Sequence, residues 1–225
     1  MKNVKVRADL HIHSVFSDGR ATPQEVILQA LRARLKVISI TDHNTFKGSI
    51  EALKFLKRKN INNIVVVKGC EVRTEYGDVL VLCLAEVNDN FPKRLNELID
   101  WARSADCLLI PAHPFDKFRK GIGKVLLKYR WNLIEIFNAG TLNPIANYKA
   151  YIVAKKLNIP GIAASDAHVV VDIGKAYTLI DVEDLNDECV FKALKRGYTV
   201  PIYKIVNFPS IDRLSWSLVR KLKLH

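Results

Sequence analysis

Short apolar runs alternate with amphipathic stretches along most of the chain. Val4–Leu10, Val37–Thr41, Ile64–Cys70, Val79–Leu84, Cys107–Pro111, Leu133–Phe137, Ile159–Ala163 and Ala176–Ile180 are rich in Val, Ile and Leu with few polar interruptions. Runs of this kind read as strands buried on both faces. Between them the apolar positions return at helical spacing. Thr22-Pro23-Gln24-Glu25 supplies an N-cap, a proline for the first helical position and an acid for the first turn, and Val26, Ile27, Ala30 and Leu31 continue one face. Further helices are expected at Lys47–Lys59, Pro92–Ala105, Gly123–Lys128, Pro144–Leu157 and Asn186–Lys195. Strand–helix alternation at this spacing predicts an α/β fold of parallel β/α units, and about seven of them suit a compact, irregular barrel better than a doubly wound sheet.

No linker rich in Gly, Pro or Ser divides the 225 residues, so the chain reads as one domain, 1–225. Near its end, Ile211, Leu214, Leu218 and Leu222 recur at helical spacing beside Arg213, Arg220, Lys221 and Lys223. The segment 207–225 is therefore expected to be a basic amphipathic helix packed on the outside of the barrel, with a membrane surface or a partner as the competing reading.

Hydrophobic residues make up 49% of the chain and charged residues 26%, which excludes a disordered polymer. No apolar run is long enough for a membrane span and no signal core follows Met1, so a cytoplasmic protein is expected. The four cysteines, Cys70, Cys83, Cys107 and Cys189, are far apart and form no Cys-x-x-Cys pair. They read as small buried apolar side chains, not as a zinc knuckle or a dithiol redox site. A net charge of +12, spread over several clusters, would attract phosphate, RNA or anionic lipid but equally suits a lysine-coated, heat-adapted surface.

The six histidines are more informative. His11 and His13 end the first expected strand, His43 the second and His113 the fifth, and His168 follows the seventh; only His225 lies elsewhere. These are the carboxyl ends of strands, where β/α barrels place their active sites. Side chains two apart share a strand face, so Asp9, His11 and His13 would all point inward while Leu10 and Ile12 face the helices. Asp166 and His168 repeat that spacing, and Glu71 extends the face of Val65, Val67 and Gly69. Asp42 and His43 are adjacent, so both reach one centre only if the chain turns, for which Asn44-Thr45 is the place. Gathering these groups with Asp18 in one buried site without a cation would be very costly. The mixed nitrogen and oxygen set suits zinc, manganese or iron better than calcium or magnesium.

Asp9-Leu10-His11-Ile12-His13, Ser17-Asp18-Gly19, Ile40-Thr41-Asp42-His43-Asn44, Gly69-Cys70-Glu71, Ala112-His113-Pro114-Phe115 and Ser165-Asp166-Ala167-His168 resemble, in order and spacing, the motifs of the PHP (polymerase and histidinol phosphatase) family. The resemblance runs from about residue 5 to residue 180. It implies a distorted, TIM-like (β/α)7 barrel that holds two or three divalent metals and hydrolyses phosphate esters. Transferred by position, His11, His13, Glu71 and Asp166 would hold one metal and Asp18, His43 and His168 a second, while Glu71 bridges to a third held also by His113. Many members carry a further histidine after the glutamate. Here none lies between Glu71 and His113, and Asp78 is the nearest substitute.

The expected mechanism needs no side-chain nucleophile: a metal-bound water, acidified, attacks phosphorus in line. Asp42 and Asp9 would orient imidazoles. Arg119-Lys120-Gly121-Ile122-Gly123, after His113, would bind substrate phosphate through side chains and backbone amides, with Arg73 a second candidate. Arg73 could instead pair with Glu75 or Asp78. Glu135 and Asn138 end a strand and would line the pocket, Asn138 as a further candidate for substrate phosphate, or brace the barrel. The expected substrate is a phosphorylated small molecule, a nucleotide or an oligonucleotide end; a 5′-end exonuclease acting on short RNA or DNA is the close alternative. A non-catalytic RNA- or protein-binding barrel and an amidohydrolase are the readings of other classes. The first has no use for so many buried charged groups, and the second usually wants a bridging lysine.

Overall fold

The computed structural model describes residues 3–203 and 210–222. Residues 207–209 and 223–225 of the expected C-terminal helix, with His225 among them, lie outside the described residues. The strands are β1 (Val4–Ile12), β2 (Val37–Ile40), β3 (Val65–Val66), β4 (Lys68–Arg73), β5 (Asp78–Cys83), β6 (Cys107–Pro111), β7 (Ile134–Asn138), β8 (Gly161–Ala164), β9 (Tyr177–Val182) and β10 (Thr199–Ile202). The helices are α1 (Pro23–Arg32), α2 (Lys47–Lys59), α3 (Leu95–Ser104), α4 (Pro144–Leu157), α5 (Asp187–Lys195) and α6 (Ile211–Leu222). Thr22 and Glu25 form the reciprocal capping box that starts α1: the Glu25 amide donates to the Thr22 hydroxyl, and Glu25 accepts from the Thr22 amide. The expected Gly123–Lys128 helix is a 3-10 helix.

The strands hydrogen-bond in three arcs, β10-β9-β1-β2-β3, β4-β5-β6 and β7-β8, which together make a distorted TIM-like barrel. The arcs approach near the mouth through single bridges, Ile12 to Ala167 and His43 to Glu71. The purely parallel arrangement expected from the alternation is not found. β1/β2, β2/β3 and β7/β8 are parallel, but β4/β5, β5/β6, β1/β9 and β9/β10 are antiparallel. Only Thr74–Gly77 joins β4 to β5, too short for a crossover, so that pair must be a hairpin. β10 escapes the hydrophobic pattern because it is half-exposed and contains Pro201, as edge strands tolerate.

Apolar packing follows strand alternation with one informative exception. Leu10 packs in the cluster of Leu80, Leu82, Ile110 and Ile162, whereas Ile12 joins Val26, Ile27 and Ala52 of α1 and α2. Leu10 and Ile12 therefore do not share a face as strict alternation requires. The β1/β2 register shifts between Asp9 and Ile12, and an irregularity there re-aims the side chains that follow.

The cysteines depart from the sequence expectation as well. Cys83 and Cys107 are directly opposed across the antiparallel β5/β6 pair, with Cα atoms 4.3 Å apart, and form a disulfide; Cys70 and Cys189 are free. Motif spacing could not show this, because register brings together two residues 24 apart. Alkylating the denatured, unreduced protein should label only Cys70 and Cys189, as read by mass spectrometry. Reduction should then lower unfolding free energy by about 3 kcal/mol; labelling of all four cysteines would rule the bridge out.

Candidate active site

β1 delivers His11 and His13, fully buried, to the barrel mouth. Their Nε2 atoms lie 3.2 Å apart. Glu71 of β4 and Asp166, just past β8, complete this centre: Glu71 Oε2 is 3.5 Å from His11 Nε2 and 3.3 Å from His13 Nε2, and Asp166 Oδ1 is 3.7 and 3.4 Å from the same atoms. Asp18 Oδ1 sits 3.2 Å from His168 Nε2, 3.6 Å from His13 Nδ1 and 3.7 Å from His43 Nε2. His113 Nε2 and His43 Nδ1 each approach Glu71 to 3.0 Å. All eight residues expected as metal ligands thus meet at one place.

Local backbone makes the convergence possible. Asn44 adopts φ 55°, the turn expected after Asp42-His43, and its amide donates to the Glu71 carbonyl at 2.9 Å, which sets His43 beside β4. His113 and Asp166 also hold positive φ, 32° and 51°, a conformation L-residues adopt only when the surroundings enforce it. The loop bearing Asp18 folds so tightly that a Cβ on Gly19 would meet the His13 carbonyl oxygen.

Asp42 makes no direct hydrogen bond to an imidazole among the described residues and reaches one only through Ser17, whose hydroxyl oxygen lies 3.4 Å from His13 Nδ1. Asp42 Oδ1 accepts from the Ser14 amide at 2.7 Å and the Ser17 hydroxyl at 2.6 Å, and its Oδ2 accepts from the Ser14 hydroxyl at 2.6 Å. It pins the 14–17 loop and so positions Asp18. Asp9 also braces backbone, accepting from the amides of Ser165 and Gly174 at 3.0 and 2.9 Å. Burial pushes its carboxyl up to about 6, against those hydrogen bonds. The imidazole is oriented instead by Glu135, whose Oε1 faces His11 Nδ1 at 3.0 Å while Oε2 accepts from the His113 amide at 2.6 Å. Asn138 is committed to the same network: its Nδ2 donates to Glu135 and Asp166, and its Oδ1 accepts from the Gly140 amide. It has no donor left for phosphate, so that expectation is corrected to a bracing role.

The basic loop also differs from its expected form. The Gly121 amide donates to the Asp116 carbonyl at 2.8 Å and that of Gly123 to the Pro114 carbonyl at 2.7 Å, because the loop closes on itself. Neither amide is free to hold an anion, which leaves the side chains of Arg119 and Lys120. Arg119 reaches inward and pairs with Asp166, while its buried Nε–H has no acceptor among the described residues. Arg73 clasps Asp78 in a fork at 2.9 and 3.0 Å. Asp78 still lies in a potential ligand cluster with His43 and Glu71.

Burial opposes ionisation of Glu71 and Asp166, yet His11 and the other imidazoles, with Arg119 beside Asp166, hold both carboxyls well below the usual range. Asp18 is likewise depressed, by His168, His13 and His43, against its burial. Burial and the neighbouring His13 push His168 down to about 4. Tautomers follow from the partners. His168 Nδ1 lies 3.0 Å from the Asp166 carbonyl and must donate to it, and His11 Nδ1 donates to Glu135. The Nε2 atoms of both then face carboxylate oxygens, and Asp166, Glu135 and Glu71 hold His11 well above the usual imidazole range against its burial. Asp18 Oδ1 and Asp166 Oδ1 are buried without a hydrogen-bond donor. Lone pairs converging in a dry site require a cation, so these residues fit divalent metal.

A cavity of about 300 Å³ opens over this cluster. Its floor includes His43, Glu71, His113 and His168, and its walls include Arg73, Arg119 and Lys120. Helix α6 forms the remaining wall, against the expectation that it packs outside the barrel: Arg213, Trp216 and Arg220 face inward, and Trp216 Nε1 donates to the Asp18 carbonyl at 2.8 Å. Their spacing of three and four residues was the available signal, a helix face with its own chemistry. Of the apolar positions expected to pack the helix, Ile211, Leu218 and Leu222 are exposed and Leu214 lines the cavity.

Residues 9–137 match the PHP domain family model and residues 144–199 the PHP-associated model. An uncharacterized protein of Methanocaldococcus jannaschii, MJ1587, is 31% identical over 158 residues, 63% of this chain and 89% of that one. A two-domain Bacteroides vulgatus protein containing a predicted PHP-like metal-dependent phosphoesterase superposes with a TM-score of 0.73 at 18% identity, over 96% of this chain and 70% of that one. The lesion-specific endonuclease PfuEndoQ of Pyrococcus furiosus superposes with a TM-score of 0.63 at 19% identity, over 88% of this chain and 58% of that one. The chain belongs to the PHP domain family.

Proposed function

We propose that the protein hydrolyses phosphomonoesters of a small molecule, a nucleotide or an oligonucleotide end, using two or three divalent ions of zinc, manganese or iron. The observation that carries this reading is the pair of buried, donor-free oxygens, Asp18 Oδ1 and Asp166 Oδ1, facing imidazole nitrogens beneath a basic cavity. His11, His13, Glu71 and Asp166 would hold one ion and Asp18, His43 and His168 a second. Glu71 and His113 would hold a third, with Asp78 available if Arg73 releases it. When bound, such ions supply an acidified water and neutralise phosphoryl oxygens. Glu135 keeps the proton of His11 on Nδ1, so that Nε2 always offers its lone pair. Asp42 and the Ser14–Ser17 loop hold Asp18 at the rim, while Asn138 holds Asp166 from behind. Arg119 and Lys120 bind the phosphate, the free Arg119 Nε–H pointing to an acceptor that arrives with substrate.

A second reading, a 5′-end exonuclease or other phosphodiesterase on short RNA or DNA, is favoured by Phe118. This side chain is 96% exposed at the cavity rim, beside basic groups, where a base can stack. Elemental analysis, with a metal-supplemented screen of p-nitrophenyl phosphate, its bis-ester, nucleotides and 5′-phosphorylated oligonucleotides, tests both readings. Turnover of monoesters supports the first, cleavage of diesters the second, and absence of both metal and turnover would sink them together.

His13→Ala and Asp166→Ala should each abolish turnover and lower bound metal while circular dichroism stays near that of the parent. Full activity in either would remove it from the site. Glu135→Gln should weaken metal affinity roughly 10- to 100-fold, measured by chelator competition, because the His11 ring loses its anionic acceptor. Neutralising Arg119 and Lys120 together should raise KM for p-nitrophenyl phosphate about tenfold or more, and an unchanged KM would take the loop out of substrate binding.

A further inference from the structure

Helix α6 stands apart from the strand-end motifs, yet one of its faces closes the cavity. Positions 213, 216, 217 and 220 all line it, the spacing of a single helix face. Arg220 Nη1 contacts Asp18 Oδ2 and lies 3.4 Å from the Asp18 carbonyl oxygen. Arg213 enters further: a Cβ on Gly140 would come within 2.5 Å of its Nη2 and within 2.9 Å of Asp166 Oδ2, so the guanidinium passes over Gly140 towards Asp166. The absence of a side chain at Gly140 is what leaves that path open. The Arg213 ion pair to Asp172 Oδ2 is long at 3.8 Å, and Asp172 already holds Lys175 at 2.6 Å.

Three guanidiniums, those of Arg119, Arg213 and Arg220, therefore converge on one cavity from two unrelated segments of chain. Burial depresses the Arg213 guanidinium, Asp166 draws it back, and Arg119 and Arg220 push it down again, so the like charges feel one another. Cations crowded in this way are at rest only with an anion between them. The carboxylates of Asp18 and Asp166 serve in part through their Oδ2 atoms, while their Oδ1 atoms face the imidazoles. A divalent ion on the Oδ1 atoms would draw negative charge from both carboxylates and so weaken their hold on the arginines. A guanidinium presents its donors in a planar fork that matches two phosphate oxygens, which a lysine cannot do.

We propose that Arg213 and Arg220 of α6 are substrate-phosphate-binding residues, so that the C-terminal helix completes the active site opposite Arg119 and Lys120. This rests on the phosphoesterase reading above for its substrate, but its binding prediction does not require turnover. Arg220 exchanges Asp18 for a phosphoryl oxygen, and Arg213 binds deeper, on the Asp166 side. The helix then sets how large an ester enters, since Trp216 and Leu214 narrow the same wall.

The test uses the full chain, loaded with manganese, and inorganic phosphate as the probe. Calorimetry should show phosphate binding weakened roughly tenfold or more in Arg213→Ala and in Arg220→Ala, and partly restored in Arg213→Lys and Arg220→Lys. Metal content by elemental analysis should match the parent, and with p-nitrophenyl phosphate KM should rise more than kcat falls. Unchanged phosphate affinity in both alanine variants would overturn the proposal. So would weakened binding that merely follows lost metal, because the arginines would then be supporting Asp18 and Asp166. If the parent binds metal and phosphate but turns over no ester, the phosphoesterase reading fails while the arginine assignment is still decided by the calorimetry.

Discussion

Everything at the mouth of this barrel depends on charge balance in a dry place. Four imidazoles, those of His11, His13, His113 and His168, and the carboxylates of Glu71, Asp166 and Glu135 are buried within a few ångströms of one another, with His43 and Asp18 half-buried at the rim. No such group could be buried alone without a large desolvation penalty. The arrangement is tolerable because each ring has one nitrogen engaged or directed and each acid has cations or donors beside it. Glu135 is central: one carboxylate directs His11, accepts the His113 amide and is braced by Asn138. The convergence of the remaining lone pairs then makes a metal site out of what would otherwise be a defect.

The barrel's irregularities serve this site. A regular parallel barrel would alternate side chains strictly, and adjacent residues such as Asp42 and His43 could not both work there. The left-handed turn at Asn44, the register shift in β1 and the positive φ values of His113 and Asp166 re-aim those groups. Each deviation is held by bonds on both sides, Asn44 to β4 and Asp166 through Asn138. The antiparallel hairpin of β4 and β5 likewise brings Arg73 and Asp78 face to face beside Glu71. Backbone strain of this type persists only where surrounding structure over-determines it.

Two chemical layers can be distinguished around the cavity. The floor is rich in nitrogen and carboxylate donors that suit metal, and the walls are rich in guanidinium and ammonium groups that suit phosphate. A phosphate ester is the kind of molecule that satisfies both at once, its oxygens reaching cations above and below. Basic residues along both walls also explain how a chain with a diffuse charge of +12 concentrates that charge where it acts.

Much of this was legible in the residues themselves. Strand-end histidines at a spacing of two, with Asp18, Glu71 and Asp166 in order, announce a metal cluster because side-chain direction in a strand is a local property. The same holds for the capping box at Thr22, and for α2 and α4, whose observed ends coincide with the pattern. What the tertiary structure alone decided depends on partners distant in sequence. Asp42 holds the Ser14–Ser17 loop and meets an imidazole only through Ser17, and the Asn138 amide is used within the barrel and not on a phosphate. Cys83 meets Cys107 only through strand register, and the direction of α6 is set by Asp18 and Asp172, which lie in other parts of the chain. Periodicity says which residues share a face of an element. Where that face is turned is a matter of long-range packing and charge, and here it turned an expected outer helix into a wall of the site.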